Sequence, residues 1–234
     1  MIAEISKVMQ ETPTVKTLRL KLSKPMTFKP GQFIMIHETV TTNGKKEAVK
    51  RAYSIASPPS QKNWIEITFN IIPDGKLSPL LFKKKKGEKL TISGPFGVFT
   101  FVPDATKEVI FVCGGTGITP FMCMLRNAIE CGANIHMAML YSVRTPVDII
   151  YKKELFHLAK EHNNFDLGIT ITREPDNWKG HTGRIDFNFI KEHTKNVKEA
   201  VFYVCGPPAF TQAMIQLLKG NGIKPKNVKI EAWG

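Results

Sequence analysis

The chain has 234 residues, 42% of them hydrophobic and 23% charged, enough to bury a core in one large domain or two small ones without a disulfide framework. No apolar run approaches the roughly 20 residues of a membrane span, and no basic start followed by an apolar stretch marks a signal peptide, so the expectation is a cytoplasmic protein with no membrane segment. The formal charge of +13 is lopsided, with 17 Lys+Arg against 7 Asp+Glu up to Pro103, yet no basic stripe interleaved with aromatics points to nucleic acid.

The first hundred residues read as short strands punctuated by turns. Val15 to Leu22 alternates, with Leu18, Leu20 and Leu22 on one face. Gln32 to His37, Trp64 to Ile71, Thr91-Ile92 and Val98 to Val102 are further runs of β-formers. Lys29-Pro30-Gly31, Pro58-Pro59-Ser60, Pro73-Asp74-Gly75 and Gly94-Pro95 separate them. This pattern predicts an antiparallel β-barrel. One short helix is expected over Ser78 to Lys83, with Ser78 as its N-cap and Pro79 at the first helical position. The run Lys83-Lys84-Lys85-Lys86 reads either as a solvated loop or as a docking surface for an acidic protein.

After Pro103 the rhythm changes. Val109–Val112, Ile135–Tyr141, Phe165–Thr172 and Val201–Val204 are apolar strands, alternating with helical patterns at Pro120–Cys131, Lys152–His162, Asn188–Lys195 and Pro208–Asn221. Alternating strand and helix predicts an α/β domain with a parallel sheet. The domains are therefore drawn as 1–103 and 104–234. Of the four cysteines, Cys113, Cys123 and Cys131 read as small buried residues in a reducing compartment, and no metal-ligand spacing is present.

Several segments carry chemistry. Arg51-Ala52-Tyr53-Ser54, as a strand, offers a cation, an aromatic face and a hydroxyl in one span; it also suits an ordinary barrel strand. Gly75-Lys76-Leu77-Ser78 opens the short helix and either holds a phosphate or makes a plain turn. Gly114 to Pro120 lies between a strand and a helix, the layout that brings backbone N–H groups to a phosphate, but Pro120 replaces the third glycine of the usual dinucleotide fingerprint. Cys205-Gly206-Pro207-Pro208 ends the last strand of that alternation, where a small sulfur has room beside a flat ring. Glu231 and Trp233 close the chain, as a frayed end or as a cap on a flat cofactor.

Together these segments resemble the ferredoxin–NADP reductase superfamily. The shared motifs are Lys29-Pro30-Gly31-Gln32-Phe33, Arg51-x-Tyr53-Ser54, Gly75-x-x-Ser78 and Gly94-Pro95-Phe96-Gly97, then Gly114-Gly115-Thr116-Gly117-Ile118-Thr119-Pro120, Cys205-Gly206-Pro207 and Glu231-x-Trp233. They occur in family order along nearly the whole chain. The resemblance implies a flavin-binding barrel followed by a nicotinamide-nucleotide domain, and a flavin-dependent NAD(P)H oxidoreductase without a fused iron–sulfur domain. It implies Arg51 on the flavin phosphate, Tyr53 against the isoalloxazine and Ser54 near N5, with Gly75, Lys76, Leu77 and Ser78 at the phosphate end. Gly115, Thr116 and Gly117 would meet the nucleotide pyrophosphate. Cys205, with Gly206 and Pro207, would lie by the nicotinamide, Trp233 over the flavin, and Glu231 in proton supply. FAD is implied over FMN. Arg144 and Arg173 lie past the second and third parallel strands, and an acid at the 2′-hydroxyl position is lacking, so NADPH is expected over NADH. The implied partner is an acidic electron carrier such as ferredoxin or flavodoxin; an oxygenase partner, or free flavin or ferric iron as acceptor, are the alternatives.

Overall fold

The computed structural model describes residues 1–42, 44–173 and 178–232. The chain divides into two compact units, one of Met1–Phe101 with Thr119–Ile129, the other of Val102–Ile118 with the chain from Glu130 on.

Six antiparallel strands build the first unit: β1 (Ile2–Thr12), β2 (Val15–Leu22), β3 (Phe33–Thr42), β4 (Lys45–Ser54), β5 (Trp64–Asn70) and β6 (Lys89–Phe96), ordered β4-β3-β6-β1-β2-β5. The sheet closes into a barrel past the end of β4, where Ile55 bridges Ile67 of β5 and the Ala56 N–H donates to the Glu66 carbonyl at 2.8 Å. The leucines expected to share a face, Leu18, Leu20 and Leu22, enter one core with Ile34, Ile36 and Ile65. A strand over Val98 to Val102 does not form. Gly97 adopts φ +101°, Val98 is 97% exposed, and the Phe101 N–H donates to the Pro30 carbonyl at 3.1 Å, so this segment's backbone bonds leave the ladder while Phe99 and Phe101 still reach the interior. Gly31, at φ +98°, permits that crossing, since a Cβ there would stand 2.1 Å from the Phe99 carbonyl oxygen.

Helix α1 (Ser78–Lys83) spans the expected residues, but Ser78 is not its cap. The cap position is Leu77, without a side-chain bond, and Ser78 Oγ instead accepts from the Ile72 N–H at 3.0 Å, closing the turn before the helix.

The second unit is a parallel sheet of β7 (Glu108–Gly114), β8 (His136–Val143), β9 (Phe165–Ile171), β10 (His181–Thr182), β11 (Val201–Gly206) and β12 (Val228–Ala232), ordered β10-β9-β8-β7-β11-β12. Its connecting helices are α3 (Lys152–Glu161), α4 (Phe187–Glu192) and α5 (Pro208–Gly220), and α2 (Ile118–Glu130) follows β7. Strand β10 and strand β12, absent from the sequence expectation, are short edge strands. Cys113, Cys123 and Cys205 are buried; Cys131 is exposed, contrary to expectation, because it falls just beyond the last turn of α2. The apolar face of α2 explains its grouping with the barrel, since Cys123 joins the barrel core and the Phe121 ring lies 6.0 Å from that of Phe99. Among the described residues no helix is long and apolar enough to cross a membrane.

From β7 the chain steps outward to β8, β9 and β10, then returns to place β11 on the other side of β7. The strand order therefore reverses between β8 and β11 around β7, and the crevice at such a reversal is where open α/β sheets take ligands.

Candidate flavin and nucleotide sites

Both candidate sites grow from strand ends. On the barrel, β4 alternates so that Arg51 and Tyr53 share one face. The Tyr53 ring is half-buried, edge-on to Phe69 at 5.8 Å, and burial raises its hydroxyl pKa to about 12 against the lowering pull of Arg51. It stays a neutral phenol with one apolar side committed to the core. Arg51 is exposed; its guanidinium donates to the Lys50 carbonyl at 2.9 Å, and among the described residues no carboxylate pairs with it. Ser54 ends the strand opposite Phe33 of β3. The Gly75–Ser78 turn is drawn to the same strand by Lys76 Nζ, which donates to both oxygens of Glu47 at 2.8 and 2.7 Å. Both ends of that pair are about half exposed, so it orders the turn more than it stabilises the fold.

An uncommitted cation, a half-open aromatic face, a strand-end hydroxyl and a neighbouring turn fit a flavin and its phosphate end. The turn departs from expectation in two side chains. Leu77 is buried in the barrel core and the Ser78 hydroxyl is used on Ile72, which leaves backbone groups as what those two residues offer a phosphate.

In the second unit, the two glycine segments meet at the strand reversal. A Cβ on Gly117 would stand 2.3 Å from the Cys205 carbonyl oxygen, so the turn after β7 and the end of β11 touch backbone to backbone. Phe210 of α5 covers both segments: a Cβ on Gly114 would come within 3.2 Å of its ring and one on Gly206 within 2.8 Å. Gly115 sits at φ +55° with nothing among the described residues within 4 Å of where a Cβ would be. The arrangement is compatible with the flat and phosphorylated parts of a nucleotide. Sequence spacing found the glycines; Phe210 carried no motif that would have marked it.

One row crosses the sheet at this level. Tyr141, Cys113, Cys205 and Glu231 are successive register partners on β8, β7, β11 and β12. Burial pushes the Cys113 thiol and the Tyr141 hydroxyl well above their usual ranges. Cys205 is fully buried, which suits a packing sulfur rather than a thiolate nucleophile. Glu231 is the exception in the row: its Oε2 is buried and, among the described residues, has no hydrogen-bond partner, and burial raises its pKa to about 7. A buried carboxyl of that kind is a candidate site residue. Arg144 and Arg173 follow β8 and β9, both exposed and joined by a 2.8 Å backbone bond from the Arg173 N–H to the Arg144 carbonyl. Trp233 lies outside the described residues.

Glu231 sets a pH dependence. A folded-state pKa above the usual carboxylate value means the native protein holds the proton longer, so stability falls as pH rises from about 4.5 through about 7. Allowing for a partly open site, the loss should be on the order of 2 kcal/mol. Glu231→Gln should remove that fall. Urea midpoints at acidic and alkaline pH check it; parallel pH trends in the two proteins would contradict the assignment.

These halves define a class: one unit arranged for a flavin, the other for a nicotinamide nucleotide, as in a flavin-dependent NAD(P)H oxidoreductase. Comparison with known proteins agrees. Residues 3–101 match the oxidoreductase FAD-binding domain family and residues 111–216 the oxidoreductase NAD-binding domain family. The chain belongs to the ferredoxin–NADP reductase superfamily. It is 34% identical over 233 residues to the glycine betaine monooxygenase reductase subunit of Pseudomonas aeruginosa, covering 97% of this chain and 63% of that protein. It is 33% identical over 204 residues to a subunit of the Na(+)-translocating NADH-quinone reductase of Idiomarina loihiensis, covering 80% of this chain and 50% of that protein. The chain thus spans about half to two thirds of the length of these relatives. The solved structure of the ferredoxin reductase in carbazole 1,9a-dioxygenase superposes with a TM-score of 0.85 at 26% identity, over 100% of this chain and 69% of that one.

Proposed function

We propose that the chain passes electrons between NAD(P)H and a one-electron carrier such as ferredoxin or flavodoxin. Bound FAD supplies the chemistry, accepting a hydride at N5 and releasing its electrons singly. The protein supplies placement. Arg51 neutralises the cofactor phosphate, with backbone N–H groups of Gly75, Lys76, Leu77 and Ser78 beside it. Tyr53 backs the isoalloxazine and Ser54 bonds its edge near N5. Gly115, Thr116 and Gly117 take the nucleotide pyrophosphate, and Cys205, Gly206 and Pro207 leave room for the nicotinamide. Glu231, whose carboxyl titrates at about 7, both takes up and releases a proton near neutrality.

The observation that carries this reading is the end of β4, where Arg51, unpaired with any described carboxylate, shares a face with the half-buried Tyr53 next to Ser54. The adjacent Arg144 and Arg173 support NADPH as the donor, through two guanidinium forks on a 2′-phosphate. The name of the NADH-quinone reductase relative supports NADH as the second reading. The +10 balance of residues 1–103 supports an acidic carrier, and the monooxygenase reductase relative supports an oxygenase component as the alternative acceptor. Four cysteines outside any disulfide support a cytoplasmic setting.

The test is an anaerobic visible spectrum. Purified protein should be yellow and bleach faster with NADPH than with NADH. Arg51→Ala should weaken FAD retention by about 10- to 100-fold, as expected for one charge-assisted phosphate contact. A colourless protein that cannot be reconstituted with FAD would sink the proposal.

A further inference from the structure

Beyond Ser54 the chain leaves the β4 ladder and enters a short stretch, Ile55, Ala56 and Ser57, each 0% exposed. Backbone groups buried to that degree need partners. The Ile55 N–H donates to the Gln32 carbonyl at 3.0 Å, and the Ala56 N–H to the Glu66 carbonyl at 2.8 Å. Ser57 Oγ accepts from the Glu66 N–H at 3.1 Å. The Ala56 carbonyl is served from much farther along the chain. Arg126 Nη1 donates to it at 2.8 Å and to Glu66 Oε2 at 3.1 Å. One guanidinium nitrogen thus clips the stretch after Ser54 to β5.

Arg126 is itself held for that task. Its side chain is 16% exposed. Cys123, one turn earlier on the same face of α2, is buried in the barrel core. Thr119–Ile129 groups with the barrel, although α2 follows β7 in the chain. Glu66 is aimed from its other side by Arg19, whose Nε and Nη2 donate to Oε1 and whose guanidinium lies 4.0 Å from the Trp64 ring centroid. Arg19 grips the carboxylate; Arg126 grips both the carboxylate and the backbone.

The cofactor strand is secured in two ways. From Lys45 to Ser54 it pairs with β3 residue by residue, Arg51 against Ile36 and Tyr53 against Ile34. Ser54 is the last of these pairs, so its place is set on one side by β3 and on the other by the clipped stretch. Ala56 lies two residues on, about 7 Å along an extended chain.

We propose that Arg126 is a positioning residue for the Ser54 hydroxyl, acting through the Ala56 carbonyl and Glu66; the place of Ser54 at the flavin edge rests on the reading above. Loss of the clip leaves the Ala56 carbonyl without its donor and frees the strand end to shift, while the ladder that carries Arg51 and Tyr53 stays paired. Hydride transfer is sensitive to such a shift, since a misplacement of about 1 Å can cost about 100-fold. Cofactor retention depends on the phosphate end and the ring face, and is spared.

The experiment follows anaerobic bleaching of the FAD-loaded protein by stopped flow, extrapolated to saturating NADPH or NADH, so that the limiting rate is read apart from nucleotide affinity. Ser54→Ala should slow it by about tenfold, and Arg126→Ala by about tenfold with FAD affinity changed by less than about twofold. The double variant should be slower than Ser54→Ala by no more than about twofold, because a residue that acts through another loses its effect once the other is gone. Arg126→Lys keeps a donor and should recover part of the rate; it carries the same cycle if Arg126→Ala yields no holoprotein. Arg19→Ala disturbs the same carboxylate but not the Ala56 carbonyl, and should change the limiting rate by less than about twofold. Losses that multiply to about 100-fold in the double variant, an unaltered rate in Arg126→Ala, or an equal loss in Arg19→Ala would overturn the positioning role and leave Ser54 in its place. An unaltered rate in Ser54→Ala would instead overturn the reading of Ser54 at the flavin edge, and the positioning role with it.

Discussion

Gly117→Ala should destabilise the protein by about 3 kcal/mol and cut NAD(P)H-dependent turnover by about 100-fold, because the added Cβ meets backbone that cannot rotate away. It would lie 2.3 Å from the Cys205 carbonyl oxygen, 2.6 Å from its carbon and 2.9 Å from the Gly206 Cα. Relief requires the turn after β7 to move off the end of β11, and that separation dismantles the cradle itself. Gly115→Ala is the control. Nothing among the described residues lies within 4 Å of its Cβ position, so its cost is the φ of +55° alone, about 1 kcal/mol. Urea denaturation and steady-state kinetics of the two variants decide the matter. Equal effects would show that crowding at Gly117 is not the determinant.

Arg126→Ala should cost about 3 kcal/mol, the scale of breaking a buried ion pair from one side. Arg126 of α2 donates through Nη1 to the Ala56 carbonyl at 2.8 Å and to Glu66 Oε2 at 3.1 Å. Glu66 is only 5% exposed, and its other oxygen is taken by Arg19 Nε and Nη2 at 3.0 and 2.9 Å. Removing Arg126 strands one carboxylate oxygen and one backbone carbonyl inside the first unit. Arg126→Lys keeps the charge but not the fork, so an intermediate loss is expected. Adding Glu66→Gln to Arg126→Ala should cost less than the two single changes together by about 1–2 kcal/mol. Strict additivity by denaturant titration would remove the pair from the account. Because α2 begins one residue after Gly117, loosening this helix should also raise the KM for the nucleotide.

The terminal segment shows how local reading fails at a particular place. Val228, Ile230 and Ala232 alternate with Lys229 and Glu231, but the run is only five residues long, and the sequence left the chain end open between a frayed end and a cap on a flat cofactor. The run is a strand because β11 offers an open parallel edge, and the pairing sets Glu231 against Cys205. Ser78 fails for a related reason. Serine before Pro79 is a good cap by composition, but the turn from Ile72 competes for its hydroxyl and wins. At Val98–Val102 the alternating apolar residues are real, and two of them are buried, yet a strand needs a free neighbouring edge as well as a pattern.

Periodicity and turn chemistry are local, so the antiparallel first half, the alternating second half, the helix at Ser78–Lys83 and the glycine positions at the nucleotide turn were legible from residue order. Ordered motifs also marked Arg51, Tyr53, Cys205 and Glu231 as candidates. What those residues face was not legible, because it depends on long-range packing. The meeting of Gly117 with Cys205 joins positions far apart in the chain, the Glu66–Arg126 pair joins a strand to a helix beyond the expected domain boundary, and the turn after the lysine run is held by its backbone bonds to Ile5. Such contacts depend on which strands become neighbours, and that is settled by burial of the whole core rather than by any short stretch of residues.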